Sequence, residues 1–138
     1  MIRAAWVGSL LLAGAACTSP TDSGGPPPVV LLGTWSYLST QASSAVKDSG
    51  TVTVTSQSGH NFQGTFAVEQ TDSSGTHPLS GPVSGQAVDS TTLNFDLFIN
   101  GTTDRQHLGI VKADSITGNW VENGIASGRF RAARQVGP

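Results

Sequence analysis

Cysteine and charge are both scarce in this chain. Cys17 is the only cysteine among 138 residues, so no disulfide can form within the chain. Charged residues make up 12% of the sequence, and the formal net charge at pH 7 is −2. No basic patch stands out, which argues against a nucleic-acid partner. Serine, threonine, asparagine and glutamine must supply much of the polar surface instead.

The motifs of common catalytic and metal sites are also missing. The three histidines, His60, His77 and His107, fall in different predicted strands or loops without ligand-like spacing, so we expect no metal site. There is no glycine-rich phosphate loop and no zinc motif, and we expect no cofactor. Serine, aspartate and histidine are all present, but in a serine-rich chain they give no support to a catalytic triad. We therefore do not expect an enzyme.

No apolar run is long enough to span a bilayer as a helix, which takes about 20 residues. The segment that approaches this length follows Arg3 and runs uncharged from Ala4 to Ala16. One basic residue before a short apolar core is typical of a secretory signal peptide. We predict that residues 1–16 are such a signal and are removed, which leaves a chain of a length that suits one domain.

The predicted signal ends in small residues just before the cysteine, with the sequence LAGAAC at residues 12–17. This resembles the lipobox of bacterial lipoproteins, although Gly14 stands where that family most often has leucine. The resemblance implies cleavage before Cys17, acylation of its sulfur, and a protein anchored in the bilayer outside the cytoplasm. If the host has two membranes, Thr18 implies the outer one, because the family's inner-membrane retention signal is aspartate. The alternative is an ordinary cleaved signal followed by an unrelated cysteine.

Residues 17–30 read as a linker between the predicted anchor and a folded domain. Two glycines and three consecutive prolines, at residues 24–28, cannot build a packed core and favour an extended spacer. Fully extended, residues 18–28 would reach at most about 40 Å. We expect this segment to hold the domain away from the membrane.

From Val29 onward, apolar and polar residues alternate in short stretches separated by turn-forming residues, and no stretch has helical periodicity. This pattern predicts strands. Over residues 31–134 we predict an all-β domain, an eight-stranded antiparallel up-and-down β-barrel, because closure removes exposed sheet edges. Pro82 should break or bulge the fourth strand and leave a gap there, since proline cannot donate to a ladder. The predicted strands are 31–38, 50–56, 61–69, 77–87, 91–99, 104–112, 115–122 and 126–134.

A short repeat with the pattern apolar-x-Gly-x-apolar runs through these strands. Its clearest copies are Phe62–Phe66, Ile116–Trp120 and Ala126–Phe130. Glycine on the inner face lets a strand bend sharply and makes room for a large neighbour, and both uses favour a tightly curved barrel.

The first strand opens with the sequence Gly33-Thr34-Trp35. A Gly-x-Trp at this place in an eight-stranded barrel resembles lipocalins, fatty-acid-binding proteins and avidins, and also small periplasmic protease-inhibitor barrels. In the first three families the tryptophan plugs one barrel end and a basic residue of the last strand packs across it. The resemblance implies a plug made by Gly33, Trp35 and Arg134, and a ligand site towards the opposite end.

The sixth strand can take either of two registers. A two-residue turn at residues 100–101 would pair Asp96 with Arg105 and leave Arg105 and His107 outside. A two-residue turn at residues 113–114 would instead place the same two side chains inside. The registers differ by one residue, which exchanges the two faces of the strand.

We favour the second register, which sets Arg105 opposite Glu122 and His107 opposite Trp120. These side chains and Tyr37 would then form a polar cluster at the open mouth of the barrel, our candidate ligand-binding site. The alternative is a surface salt bridge, which contributes little to stability.

The face of the sixth strand that carries Leu108 and Ile110 depends on the same choice. In the favoured register they join Phe98 outside as an apolar patch, and in the other register they fill the core. An exposed apolar patch is a candidate partner surface.

Two functions follow from whether the interior is filled. If the inner glycines leave a gap, the barrel is a binding module that captures a small, partly apolar ligand at its open end. If large side chains fill it, the protein acts on a protein partner through its loops or outer face, as an inhibitor or envelope component. The predicted inward residues are Trp35, Tyr37, Val52, Val54, Phe62, Phe66, Val68, Leu93, Phe95, Leu97, Trp120 and Phe130.

Overall fold

A computed structural model describes residues 28–137, which form eight strands and no helix. Each strand pairs antiparallel with the next, and the last pairs with the first, so the sheet closes into a barrel. The predicted fold class is confirmed. The predicted signal peptide, Cys17 and most of the linker lie outside the described residues. The strands are β1 (Gly33–Gln41), β2 (Lys47–Ser58), β3 (Asn61–Asp72), β4 (Gly75–Ala87), β5 (Thr92–Ile99), β6 (Thr103–Lys112), β7 (Ser115–Glu122) and β8 (Ala126–Arg134).

Burial alternates along the strands, as the period-two pattern predicts. All the predicted inward residues are buried. In the part of the chain that is described, no helix is long and apolar enough to cross a membrane. The core also takes in apolar residues that the sequence left unassigned, namely Leu31, Val83, Ala87, Ile99, Val111, Ile116 and Ala132.

The first two strands are longer than predicted. The expected loop at residues 39–49 shrinks to a turn at residues 42–46, because β1 continues to Gln41 and β2 begins at Lys47. The reason for the error is Asp48, a charged residue that faces the interior and breaks the alternation of apolar and polar side chains.

The prediction for Pro82 is wrong about a break in β4 but right about a gap beside it. β4 is continuous, and the register shift lies in β2 between Val54 and Ser56. β4 pairs with β3 along its length, but with β5 only over Val83–Ala87. The first half of β4 therefore has a free edge, although the barrel is closed.

Two prolines lie on this free edge. The carbonyl of Ser80 accepts a hydrogen bond from the amide of Asn100, in the turn after β5. Backbone groups two residues apart in a strand face the same neighbour, so Pro78 and Pro82 face this edge too. Neither proline has an N–H to leave unpaired, which protects the edge from pairing with another chain.

Inward glycines allow close packing of the large side chains, as the repeat predicts. A Cβ atom on Gly128 would lie 1.9 Å from the carbonyl oxygen of Thr40 and 2.8 Å from the ring of Trp120. One on Gly109 would lie 2.8 Å from Cγ2 of Ile116 and 3.0 Å from Cζ of Phe130. Real Cβ atoms rarely approach their neighbours so closely, so Gly128 lets the backbone of β1 and the indole come close, and Gly109 makes room for two large side chains.

The hairpin between β5 and β6 decides the register. Ile99 pairs with Thr103, so this turn has three residues rather than two. The turn at residues 113–114 keeps two, since Lys112 pairs with Ser115. The longer first turn lets Arg105 face inward without a bulge, and the structure therefore has the second register.

Candidate functional site

The alternating strand direction sorts the turns into two ends. At the plugged end lie the start of β1, the end of β8, and the turns at residues 59–60, 88–91 and 113–114. At the open end lie the turns at residues 42–46, 73–74, 100–102 and 123–125. This is the arrangement that the sequence predicts for an up-and-down barrel.

The plugged end is closed by an arginine stacked on a tryptophan. The guanidinium carbon of Arg134 lies 4.3 Å from the ring centroid of Trp35. Nε1 of Trp35 donates to the carbonyl of Leu31 at 2.9 Å. Arg134 also donates to the carbonyls of Val30 and Leu32, both at 2.7 Å. The arginine therefore ties the segment before β1 across the plug.

Gly33 turns the chain from that segment into β1. Its φ is +118°, a backbone conformation that side chains other than hydrogen rarely allow. Nε of Arg134 completes the plug by donating to Oδ1 of Asp114 at 3.1 Å. The structure thus brings Gly33, Trp35 and Arg134 together as the resemblance implies.

Arg105 holds the open end together from the inside. Its Nη1 lies 2.5 Å from Oδ2 of Asp48, and its Nη2 lies 2.8 Å from Oε2 of Glu122. The guanidinium carbon lies 4.4 Å from the ring centroid of Trp120. The side chains of Arg105 and Asp48 are only 4% and 2% exposed. The alternative of a surface salt bridge is therefore wrong.

Asp48 brings further partners that sequence reasoning missed. Its Oδ2 accepts from Oγ of Ser39 at 2.7 Å, and its Oδ1 accepts from Nε2 of Gln70 at 3.1 Å. The signal that could have found it is its spacing from Val52 and Val54, which places all three side chains on the inner face of β2. We name the set Ser39, Asp48, Gln70, Arg105, Trp120 and Glu122 the inner polar cluster.

His107 lies next to this cluster, among aromatic side chains. Its Nδ1 donates to the carbonyl of Arg105 at 3.0 Å, and its Nε2 lies 2.8 Å from the hydroxyl of Tyr37. When the ring is neutral, Nε2 accepts from that hydroxyl. The imidazole stacks on Phe95 with centroids 4.3 Å apart, and Phe130 packs edge-on at 4.9 Å.

Burial sets the protonation of these groups. It lowers the pKa of His107 to about 3 and raises the pKa of Tyr37 to about 12. Burial also opposes the charge of Arg105, but the nearby carboxylates, Asp48 first, outweigh it and raise the pKa of Arg105 above its ordinary value. At neutral pH a charged guanidinium therefore lies beside an uncharged histidine and an uncharged phenol.

The interior has no room for a ligand. The apolar cavity between Trp35, Tyr37 and Phe95 has a volume of about 20 Å³, which is enough for about one water molecule. Sites for small molecules usually measure about 300–1,000 Å³. The structure brings the predicted ligand residues together. Tyr37, Arg105, His107 and Trp120 are buried in the packed interior, and Glu122, whose side chain is 23% exposed, lies at the rim of the open end.

Two features of the open end remain without a partner. Nε1 of Trp120 is buried and has no hydrogen-bond partner among residues 28–137, and the same holds for Oδ1 of Asp104. Within that range, no group of three or more histidine, cysteine, aspartate or glutamate side chains is placed to hold a metal ion.

The outer surface has exposed apolar residues and open grooves, whereas the interior is packed. Leu108 and Ile110 are 59% and 61% exposed, as the second register predicts. Open grooves of about 580 and 610 Å³ lie on the outside of the sheet, one along β1 and the other across β6 and β7.

Comparison with known proteins shows the fold and no family. No protein-family model and no curated protein matches the sequence. A de novo designed fluorescence-activating β-barrel is 17% identical with a TM-score of 0.64, over 75% of this chain and 93% of the design. The redesigned barrel mFAP1, solved bound to DFHBI, is 19% identical with a TM-score of 0.61, over 75% and 94% of the two chains. At these identities the likeness shows a shared barrel alone.

Proposed function

We propose that this chain is a lipid-anchored protein of the bacterial cell envelope, with a filled barrel that serves as a rigid binding module and contacts its partners through its outer surface. The observation that carries the binding mode is the packed interior, whose apolar cavity measures about 20 Å³. The role is one of binding rather than catalysis.

Capture of a small ligand inside the barrel is the competing function, and mFAP1, a barrel of similar fold, was solved bound to DFHBI. In this chain a ligand entering from the open end would have to part Arg105 from Asp48 and Glu122. Breaking a buried ion pair typically costs about 3–5 kcal/mol, and the cavity of about 20 Å³ further inside is too small to hold the ligand. A partner would instead contact the outer surface, where the open grooves of about 580 and 610 Å³ lie.

The anchor rests on the lipobox-like residues 12–17 and on Cys17 as a lone thiol that acylation would explain. Each buried acyl CH₂ contributes about 0.8 kcal/mol, so two or more chains hold a protein firmly in a bilayer. The tether would leave from the plugged end, because Arg134 holds Val30 and Leu32 there. If the host has two membranes, Thr18 favours the outer one.

Mass spectrometry of the protein purified from host membranes tests the anchor and the filled barrel together. We expect the mass of residues 17–138 plus acyl chains, and no further small molecule bound one to one under native conditions. A Cys17→Ser variant should lack the acyl mass and leave the membrane fraction. An unmodified Cys17 would overturn the anchor, and a stoichiometric ligand released only by unfolding would overturn the filled barrel.

Benzene tests the interior in vitro, because it is small enough to enter an apolar cavity of about 150 Å³. It should not stabilise the wild-type barrel, whereas Phe95→Ala should gain thermal stability by binding this probe in the volume that the ring vacates. A substitution of this kind costs about 3–5 kcal/mol, so Phe62→Ala provides a second cavity in case the first variant fails to fold. Equal binding of the probe inside the wild type would contradict the proposal.

A further inference from the structure

One face of the barrel is positively charged although the chain as a whole is not. We call it the β8–β1–β2 face, meaning the outward side chains of these three strands. It carries Lys47, Arg129 and Arg131 and no acidic residue, on a protein whose formal net charge is −2. Its other members are Thr34, Ser36, Leu38, Thr40, Ser49, Thr51, Thr53, Ser127 and Ala133.

The strand register gathers the three cations around the far half of β1. Thr40 pairs with Lys47 on one side and with Arg129 on the other, and Leu38 pairs with Arg131. Neighbouring strands are about 4.8 Å apart, so the backbones of Lys47 and Arg129 are about 10 Å apart. Their long side chains can reach a common set of anionic groups.

These three cations form no ion pair within residues 28–137, where the lysines and arginines that do so are Arg105 and Arg134. Glu69, outward on β3 opposite Ser49, forms none with Lys47. Three of the four remaining cationic side chains in that range lie on this one face, and Lys112 on β6 is the fourth.

The shape of the face suits a broad partner. The groove of about 580 Å³ along β1 is open to solvent, and Leu38, 41% exposed, is its apolar element. Serine and threonine hydroxyls surround the charges and can donate hydrogen bonds to phosphate oxygens. An open groove with peripheral cations holds no single small molecule firmly, but it matches a flat array of negative charges.

We propose that the β8–β1–β2 face docks on anionic lipid headgroups and lays the barrel on its side against the membrane surface. Arginine binds phosphate through paired N–H donors, and Leu38 can reach the edge of the apolar layer. The inference draws on the proposed function in one respect, since a tether over residues 18–28 of at most about 40 Å would keep the barrel near a bilayer.

Sedimentation with lipid vesicles tests the docking. The probe is the unacylated barrel of residues 28–137, in which every strand has both neighbours and the sheet closes on itself. We expect binding to vesicles of equal parts phosphatidylglycerol and phosphatidylcholine, none to phosphatidylcholine alone, and loss of binding at high salt. Each cation near an anionic surface contributes roughly a fivefold change in partitioning, so Arg129→Gln with Arg131→Gln should weaken binding about 25-fold.

The control is Lys112→Gln, which removes the same charge from an outward position on β6 and should leave vesicle binding unchanged. Leu38→Ser should weaken binding while keeping its dependence on salt. All of these side chains are exposed, so circular dichroism should show an intact barrel in each variant.

An equal loss from Lys112→Gln, or equal binding to neutral vesicles, would overturn the proposal. Binding of soluble polyphosphate without binding of vesicles would assign the face to an anionic polymer and overturn membrane docking as well. The barrel used in these experiments lacks Cys17, so neither failure bears on acylation. The mass measurement on the host protein tests acylation separately.

Discussion

Each end of the barrel is closed by an arginine stacked on a tryptophan, yet the two pairs have different surroundings. Arg134 over Trp35 is 28% exposed and donates to backbone carbonyls and to an exposed aspartate, whereas Arg105 over Trp120 is 4% exposed and binds two carboxylates. Nε1 of Trp35 has an acceptor in Leu31, but Nε1 of Trp120 has none among residues 28–137.

The difference shows how one residue pair can serve two purposes. At the plugged end, the guanidinium donates to two backbone carbonyls and to the exposed carboxylate of Asp114. Water can replace these acceptors, so the charge contributes little to stability. At the open end, a buried guanidinium and a buried carboxylate depend on each other, because an unpaired buried charge is costly. The plugged end is therefore held by packing, and the open end by charge.

The largest expected effect is the difference in stability lost when Arg105 or Arg134 is removed. We expect Arg105→Met to lower the free energy of unfolding by about 3–5 kcal/mol, because it leaves Asp48 buried without its cation. Arg134→Met should cost about 1 kcal/mol or less, as for other partly exposed ion pairs. Urea unfolding of both variants at pH 7 measures the contrast.

The double variant Asp48→Leu with Arg105→Met is the control for this prediction. It should regain much of the loss, since apolar replacement of a buried pair is often neutral. Equal destabilisation by the two arginine variants would show that the ends do not differ as we argue.

The second-largest expected effect is a loss of stability in acid, through His107 beside the inner polar cluster. The pKa of His107 is about 3 when folded, below its unfolded value of 6.5. The unfolded chain therefore binds more protons between these values, and stability that is present above pH 6.5 is lost as the pH falls towards 3. Between pH 7 and pH 4 this amounts to about 3 kcal/mol. Urea unfolding across that range measures it.

His107→Gln provides the comparison, because glutamine keeps a donor and an acceptor but does not titrate here. Its stability should change less from pH 7 to pH 4 than that of the wild type. The pKa values of Asp72 and Asp89 are lowered mainly by hydrogen bonds. The stability that these two groups contribute falls with pH in the same way in the wild type and in the variant, so it cancels in the comparison. Identical pH profiles would count against a buried neutral histidine.

A further loss of stability is expected from Gly128→Ala. Its Cβ atom would lie 1.9 Å from the carbonyl oxygen of Thr40 and 2.8 Å from the indole of Trp120. The backbones of β8 and β1 must therefore move apart, and the cost should reach the upper end of the range typical of overpacking, about 1–3 kcal/mol. Gly128→Ala should also change the near-ultraviolet circular dichroism of Trp120. Gly59→Ala is the control. It adds the strain of a positive φ but has no atom within 4 Å of the new carbon, so it should leave the tryptophan signal unchanged.

The local pattern of the sequence predicts the strands and most of the core. Alternation is read from neighbouring residues, and it places Val52, Phe66 and Leu97 inside correctly. Arg134 over Trp35 follows from the adjacency of the first and last strands in any closed barrel.

What the sequence does not predict depends on long-range pairing. Asp48 is inside because Arg105, far along the chain, faces it, and a charge on the inner face breaks the local pattern. The register of β6 depends on a turn that is one residue longer than its Asn-Gly signal suggests. The positive face arises only when β8 closes on β1 and brings Arg129 beside Thr40.

The smallest expected effect on stability comes from a substitution on the free edge of β4. This edge lies towards the open end, so it is another difference between the two ends. Pro78→Thr should change the free energy of unfolding by no more than about 0.5 kcal/mol, as for most surface substitutions. It restores an unpaired N–H to the edge, so the variant should associate more strongly with increasing concentration than the wild type does. Light scattering after size-exclusion chromatography measures this. Ser80→Thr on the same edge adds β-propensity without adding a donor, and equal association of both variants would mean that the missing N–H of Pro78 is not what protects the edge.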